Sequence, residues 1–170
     1  KCVASVSGVA FMKRIGVGCE FDFEGIGMKL LIINGPNLNF LGIREPGIYG
    51  KGSYEDLCRT IREHAAKRGA EVEIFQSNHE GAIIDAIHAA DGAYDAIIIN
   101  PGAYTHYSYA IHDALASVNL PTVEVHISDP DEREEFRKVS YIRLACVNTI
   151  KGLGTDGYLR AIDYLKEVIK

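Results

Sequence analysis

The feature that most constrains this chain is a rhythm. From Met28 onward, short apolar runs alternate with longer segments of helical period. After Lys29, the run LLII up to Ile33 is unbroken, as expected for a strand covered on both faces. Ser53 opens a helix, with Asp56 three residues on as in a capping box. Leu57, Ile61, His64 and Ala65 keep helical spacing as far as Gly69, a stop signal. EVEIF (71–75) is the second strand, and Asn78 is placed to cap a helix whose inner face carries Ile83, Ile84, Ile87 and Ala90. Tyr94 to Ile99 form the third strand, residues 107–118 the next helix, and TVEVHI (122–127) the fourth strand. DPDEREEF (129–136) reads as a short helix behind Asp129 and Pro130. Leu144 to Ile150 give the fifth strand and Asp156 to Ile169 the last helix. Strands alternating with helices in this way predict an α/β fold: a flavodoxin-like, doubly wound, five-stranded parallel sheet with helices on both faces.

Residues 1–27 lack this rhythm and hold no sustained period, so they read as an N-terminal extension, with residues 28–170 as a single domain. The net charge of −5 is spread along the chain, which argues against a nucleic-acid partner. No apolar run approaches the roughly 18–20 residues that span a membrane. Cys2, Cys19, Cys58 and Cys146 form no C-x-x-C pair, so they read as reduced thiols of a cytoplasmic protein and not as zinc ligands.

In doubly wound sheets, ligands bind beyond the C-terminal ends of the strands. Polar residues gather there. Strand one ends in Asn34-Gly-Pro-Asn37, strand two in Gln76-Ser-Asn-His79, and strand three in Asn100-Pro-Gly followed by Thr105-His106. Strand four carries Glu124 and His126 and ends in Ser128. Amides, hydroxyls and imidazoles converging on one edge describe a pocket for a small, oxygen-rich molecule. Glu124 and His126 alternate with Val123, Val125 and Ile127, so period two puts both polar groups on one face, where the carboxylate can hold the imidazole. The connection from Phe40 to Gly52 is rich in glycine and longer than the usual strand-to-helix link of about 2–6 residues. Long connections at a ligand edge are often lids, and this one carries Arg44, Glu45 and Tyr49.

Other chemistries fit poorly. GLGTDG (152–157) matches a dinucleotide fingerprint, but it lies at the last strand with no acidic residue at the required distance; a tight turn and close helix packing explain its glycines. No phosphate loop follows strand one, no His pair has metal-ligand spacing, and no G-x-S-x-G elbow is present. Lys51 and Lys151 sit in glycine-rich turns, where solvation leaves them unsuited to Schiff-base chemistry. Cofactor-free acid–base chemistry on a small polar ligand remains, beside two rivals: a binding module without turnover, and an FMN or dinucleotide oxidoreductase.

LIINGPNLNFLGIREPGIYG (31–50), FQSNHEGAIID (75–85), INPGAYTH (99–106), VEVHISDPDEREEFR (123–137) and GLGTDGYLRAIDYL (152–165) together resemble the type II 3-dehydroquinate dehydratases. The resemblance implies a hydro-lyase that makes 3-dehydroshikimate from 3-dehydroquinate through an enolate, in the shikimate pathway or quinate breakdown, with no cofactor and no metal. It implies Tyr49 as the base, with Arg44 lowering its pKa. Free tyrosine titrates near about 10, and reaching about 7 takes about 4 kcal/mol of preferential phenolate stabilisation. Asn37 would hold a water against the enolate oxygen, and His126, oriented by Glu124, would be the acid. Asn100, His106 and Arg137 would bind hydroxyls, the N–H groups of Ile127 and Ser128 the carboxylate, and Arg133 would support the lid. The resemblance further implies a homo-oligomer of trimers grouped into a dodecamer, with Asp113 reaching a neighbouring subunit's site. One departure is His112 before Asp113, where the family often has Arg.

Overall fold

The computed structural model describes residues 27–43 and 52–169. The expected extension, apart from Gly27, and the lid residues Arg44, Glu45 and Tyr49 therefore lie outside the described residues. The strands are β1 (Met28–Asn34), β2 (Ala70–Gln76), β3 (Ala96–Asn100), β4 (Thr122–His126) and β5 (Asn148–Lys151). The helices are α1 (Tyr54–Lys67), α2 (Glu80–Ala90), α3 (Tyr109–Ser117) and α4 (Asp156–Val168). All strand pairs are parallel, in the order β2-β1-β3-β4-β5. This is the flavodoxin-like order, and its direction of winding reverses between β1 and β3.

The alternation of side chains sorts the core into two layers. Leu30, Ile32, Ile98, Val123 and Val125 pack under Leu57 and Ile61 of α1 and Tyr158, Ile162 and Leu165 of α4. Leu31, Ile33, Ile97 and Ile99 pack under Ile83 and Ile87 of α2 and Ile111 and Leu115 of α3. Because β3 is buried throughout, its sequence is apolar at every position up to Asn100.

Three local expectations are corrected. Asn78 does not cap α2: the N-cap is His79, and the Asn78 Oδ1 accepts the Asn37 N–H at 3.0 Å. Residues 129–136 are not one helix. Asp129 caps a 3-10 turn, Pro130–Glu132, and a second turn covers Glu135–Arg137. The apolar stretch before β5 is another 3-10 turn, Ile142–Ala145, which leaves Leu144 and Val147 exposed.

Two glycines are required by close approach. A Cβ on Gly35 would lie 2.5 Å from the Pro101 carbonyl oxygen, because the β1 and β3 exit loops run back to back. A Cβ on Gly157 would lie 3.1 Å from Val125 Cγ1, so the start of α4 sits directly on β4. This is the close helix packing expected of the GLGTDG segment.

Candidate active site

The exits of β1, β3 and β4 enclose a cavity of about 190 Å³. Asn37 comes from the β1 exit, Asn100 and His106 from the β3 exit, and His126, Ile127, Ser128, Arg133 and Arg137 from β4 and its exit. The topology thus brings together eight of the residues expected at the site. Asn37 reaches the rim through a left-handed backbone, with φ of 67°, a conformation that asparagine tolerates better than most residues. Asp113 is elsewhere: it lies on α3, its side chain is exposed, and its Oδ1 is 3.1 Å from His112 Nδ1.

Glu124 does not border the cavity but lies completely buried behind His126. A lone buried carboxylate would be costly, and this one is surrounded by donors. Thr105 Oγ1 donates to Oε1. Ser140 Oγ donates at 3.0 Å to Oε1 and 3.2 Å to Oε2. Thr149 Oγ1 reaches Oε2 at 3.4 Å. Burial works to raise the Glu124 pKa, but His126, Thr105 and Ser140 outweigh it and hold the group below the ordinary carboxylate range. His126 Nε2 lies 3.0 Å from Glu124 Oε1, an ion-pair distance, yet without the geometry of a hydrogen bond, and this nitrogen has no hydrogen-bond partner among the described residues.

His106 is set differently. Its Nδ1 lies 2.8 Å from the Val139 carbonyl, which can only accept, so Nδ1 carries the proton. Burial lowers the His106 pKa, the Val139 bond opposes this, and the nearby Arg137 charge lowers it further. The neutral ring then offers Nε2 as an acceptor for a ligand hydroxyl. Arg137 Nε donates to Glu134 Oε2 at 2.8 Å and lies over the Phe136 ring. Arg133 Nε is 3.6 Å from the same carboxylate.

The turn before α4 fastens the β4 exit. Gly152 N–H donates to the His126 carbonyl at 3.2 Å, and Gly154 N–H to the Ile127 carbonyl at 3.0 Å. Lys151 is paired, contrary to the expectation of a solvated side chain: Nζ is 3.0 Å from Asp129 Oδ1 and also bonds Asp131. Its pKa is raised, chiefly by Asp131, the opposite of what a Schiff-base lysine needs. Burial and the Glu124 charge push the Cys146 thiol up, so it stays neutral.

Ser140, Thr149 and Tyr158 were not singled out from the sequence. Ser140 and Thr149 lie in stretches without a motif, and their hydroxyls meet Glu124 only in the folded chain.

Comparison with known proteins agrees with this geometry. The model for dehydroquinase class II matches residues 28–166. A 3-dehydroquinate dehydratase from Caldicellulosiruptor bescii is 61% identical over 142 residues, covering 83% of this chain and 98% of that protein. One from Clostridium acetobutylicum is 56% identical over 142 residues, covering 84% and 99%. Among solved structures, a type II dehydroquinase from Butyrivibrio crossotus matches with a TM-score of 0.82 at 58% identity, over 84% of this chain and 99% of that one. Another from Propionibacterium acnes has a TM-score of 0.80 at 40% identity, over 83% and 99%. With the fold, the cavity and the extent of these matches in agreement, the chain belongs to the class II dehydroquinase family.

Proposed function

We propose roles for individual residues in the family's reaction: this chain is a 3-dehydroquinate dehydratase, a hydro-lyase that converts 3-dehydroquinate to 3-dehydroshikimate. The observation that carries the reading is the buried Glu124–His126 pair at the mouth of β4, in a cavity otherwise lined by amides, a neutral imidazole and two arginines. Binding alone would not need a carboxylate caged to stay ionised behind a histidine.

In the proposed reaction, the Tyr49 phenolate, tuned by Arg44, removes a proton from C2. The C–H electron pair becomes the enolate of the neighbouring C3 carbonyl, whose oxygen is stabilised by a water held at Asn37. The enolate then re-forms the carbonyl and expels the C1 hydroxyl, which His126 protonates so that it leaves as water. The outcome is a C1–C2 double bond conjugated with the carbonyl, by an anti elimination that is reversible. Asn100, His106 and Arg137 hold substrate hydroxyls, Ile127 and Ser128 face its carboxylate, and Arg133 steadies the lid. The steps are proton transfers and the cleavage of one C–O bond, with no change in overall oxidation state, so the reading requires no metal and no cofactor. Trimers grouped into a dodecamer, with Asp113 reaching a neighbour's cavity, complete the proposal, as does a cytoplasmic location.

The test is a near-ultraviolet assay of the purified full chain with 3-dehydroquinate and a chelator present. A rising absorbance reports the conjugated product and supports metal-free elimination. A signal that appears only after metal is restored would reject the metal-free reading. A flat trace from protein whose melting temperature still rises with substrate would leave a binding module.

A further inference from the structure

We infer that Tyr158 is a positioning residue: its buried hydroxyl, together with the Gly102 N–H, fixes the orientation in which the Asn100 amide meets the substrate. Tyr158 stands in the first turn of α4 with its ring in the core and no solvent exposure. Its hydroxyl touches two asparagines, Asn34 Oδ1 at 2.7 Å and Asn100 Nδ2 at 3.0 Å. These are register partners at the ends of β1 and β3, where the sheet's winding reverses.

The direction of the bonds can be deduced from a group that cannot change roles. Gly102 N–H only donates, and it lies 3.2 Å from Asn100 Oδ1. The amide oxygen of Asn100 is therefore held on the Gly102 side and its Nδ2 on the Tyr158 side. Tyr158 must accept from Nδ2, so its single proton goes to Asn34 Oδ1. Asn34 Nδ2 continues the chain to Tyr54 Oη at 3.3 Å. Burial pushes the Tyr158 phenol well above its ordinary value, which favours the protonated hydroxyl that this polarity needs.

Asn100 borders the cavity, and among the described residues one N–H of its Nδ2 is left over. It therefore presents a donor to the substrate, suited to an oxygen lone pair. Without the Tyr158 hydroxyl, Gly102 alone would hold the amide at one edge, and the Asn34 and Asn100 amides could bond each other instead. None of the residue roles assigned above explains why a polar atom is kept at this depth. The inference rests on the reading that Asn100 binds substrate.

The test is a double-mutant cycle of Tyr158→Phe and Asn100→Ala in the full chain, read by steady-state kinetics with 3-dehydroquinate. The Asn100 contact is made alike in ground and transition states, so Tyr158→Phe should raise KM about tenfold with kcat within about threefold. In the Asn100→Ala background the same change should leave KM within about twofold. A purely structural role would lower the melting temperature and the active fraction without moving KM. An equal KM rise in both backgrounds, or none in either, overturns the proposal. If Asn100→Ala leaves KM unaltered, the binding role of Asn100 fails, and this inference falls with it. Should Tyr158→Phe not fold, Asn34→Ala removes the acceptor that fixes the hydroxyl. Its KM rise must likewise vanish beside Asn100→Ala, and a rise that persists there is equally fatal.

Discussion

Glu124 has no exposure, and its charge survives because Thr105, Ser140 and Thr149 arrive from three separate segments to surround it. Thr105→Val keeps the shape and removes one donor. Leaving a buried acceptor short should cost about 1–3 kcal/mol, measured by urea unfolding near neutral pH. The pH dependence has a definite sign. The folded-state pKa of Glu124 is depressed, so its contribution to stability is present above the ordinary carboxylate value and disappears as pH falls through the depressed one. In Thr105→Val the folded-state pKa moves back toward the ordinary value, so that pH-dependent loss should be smaller and complete at a higher pH; an unchanged pH dependence would show that Thr105 does not set the charge. For the chemistry itself, Tyr49→Phe and His126→Ala should each lower kcat by about two to four orders of magnitude. Far-ultraviolet circular dichroism should stay unchanged in both. Near-full activity in either variant would remove that residue from its proposed role.

At the scale of elements, α1 and α4 hold the site's machinery in place through their first turns. Ser53 Oγ accepts the Asp56 N–H at 3.1 Å, and Asp56 Oδ2 accepts the Ser53 N–H at 3.1 Å. Ser53→Ala should therefore cost about 1 kcal/mol, read as a shifted urea midpoint. Gly157→Ala adds a methyl against Val125, one residue from His126. We expect about 1–3 kcal/mol of destabilisation from overpacking, with a loss of kcat although no cavity contact is changed. Unaltered kinetics would mean that β4 tolerates the displacement. These elements were legible because their signals are local: a capping pair in Ser53 and Asp56, buried runs such as AIIIN, and polar residues at strand ends. The region 129–150 was less legible. Leu144 and Val147 are apolar yet exposed, so they imitate strand residues, and Asn78 is an excellent cap in isolation but spends its amide on Asn37. The hydroxyl cage and the Tyr158 chain could not be read at all, since bonds such as Asn34 to Tyr158 join residues 124 positions apart.

At the scale of the whole molecule, the two asparagine loops meet where the winding reverses, and β4 contributes His126 beside them. Asp113 is not among the described residues that line the cavity of its own chain, and the proposed role places it in another copy's site. Asp113→Ala should then lower activity with little effect on stability. Co-assembling it with the inactive His126→Ala chain should restore part of the activity, because some sites would pair an intact His126 with an intact Asp113. Mixed assemblies as inactive as the parents would confine every functional residue to one chain.

The Glu124 cage also has a consequence in time. Thr149, Gly152 and Gly154 follow the cavity-lining segments along the chain, and they close the cage and tie down the β4 exit. A nascent chain that has not yet released β5 holds β4 at an open sheet edge, with the Glu124 carboxylate only partly answered. Completion of the cage therefore waits on β5 and the turn that follows it. Chains arrested before Asn148 should be readily cut by protease and silent in the assay, whereas those arrested past Lys170 on a long linker should be resistant.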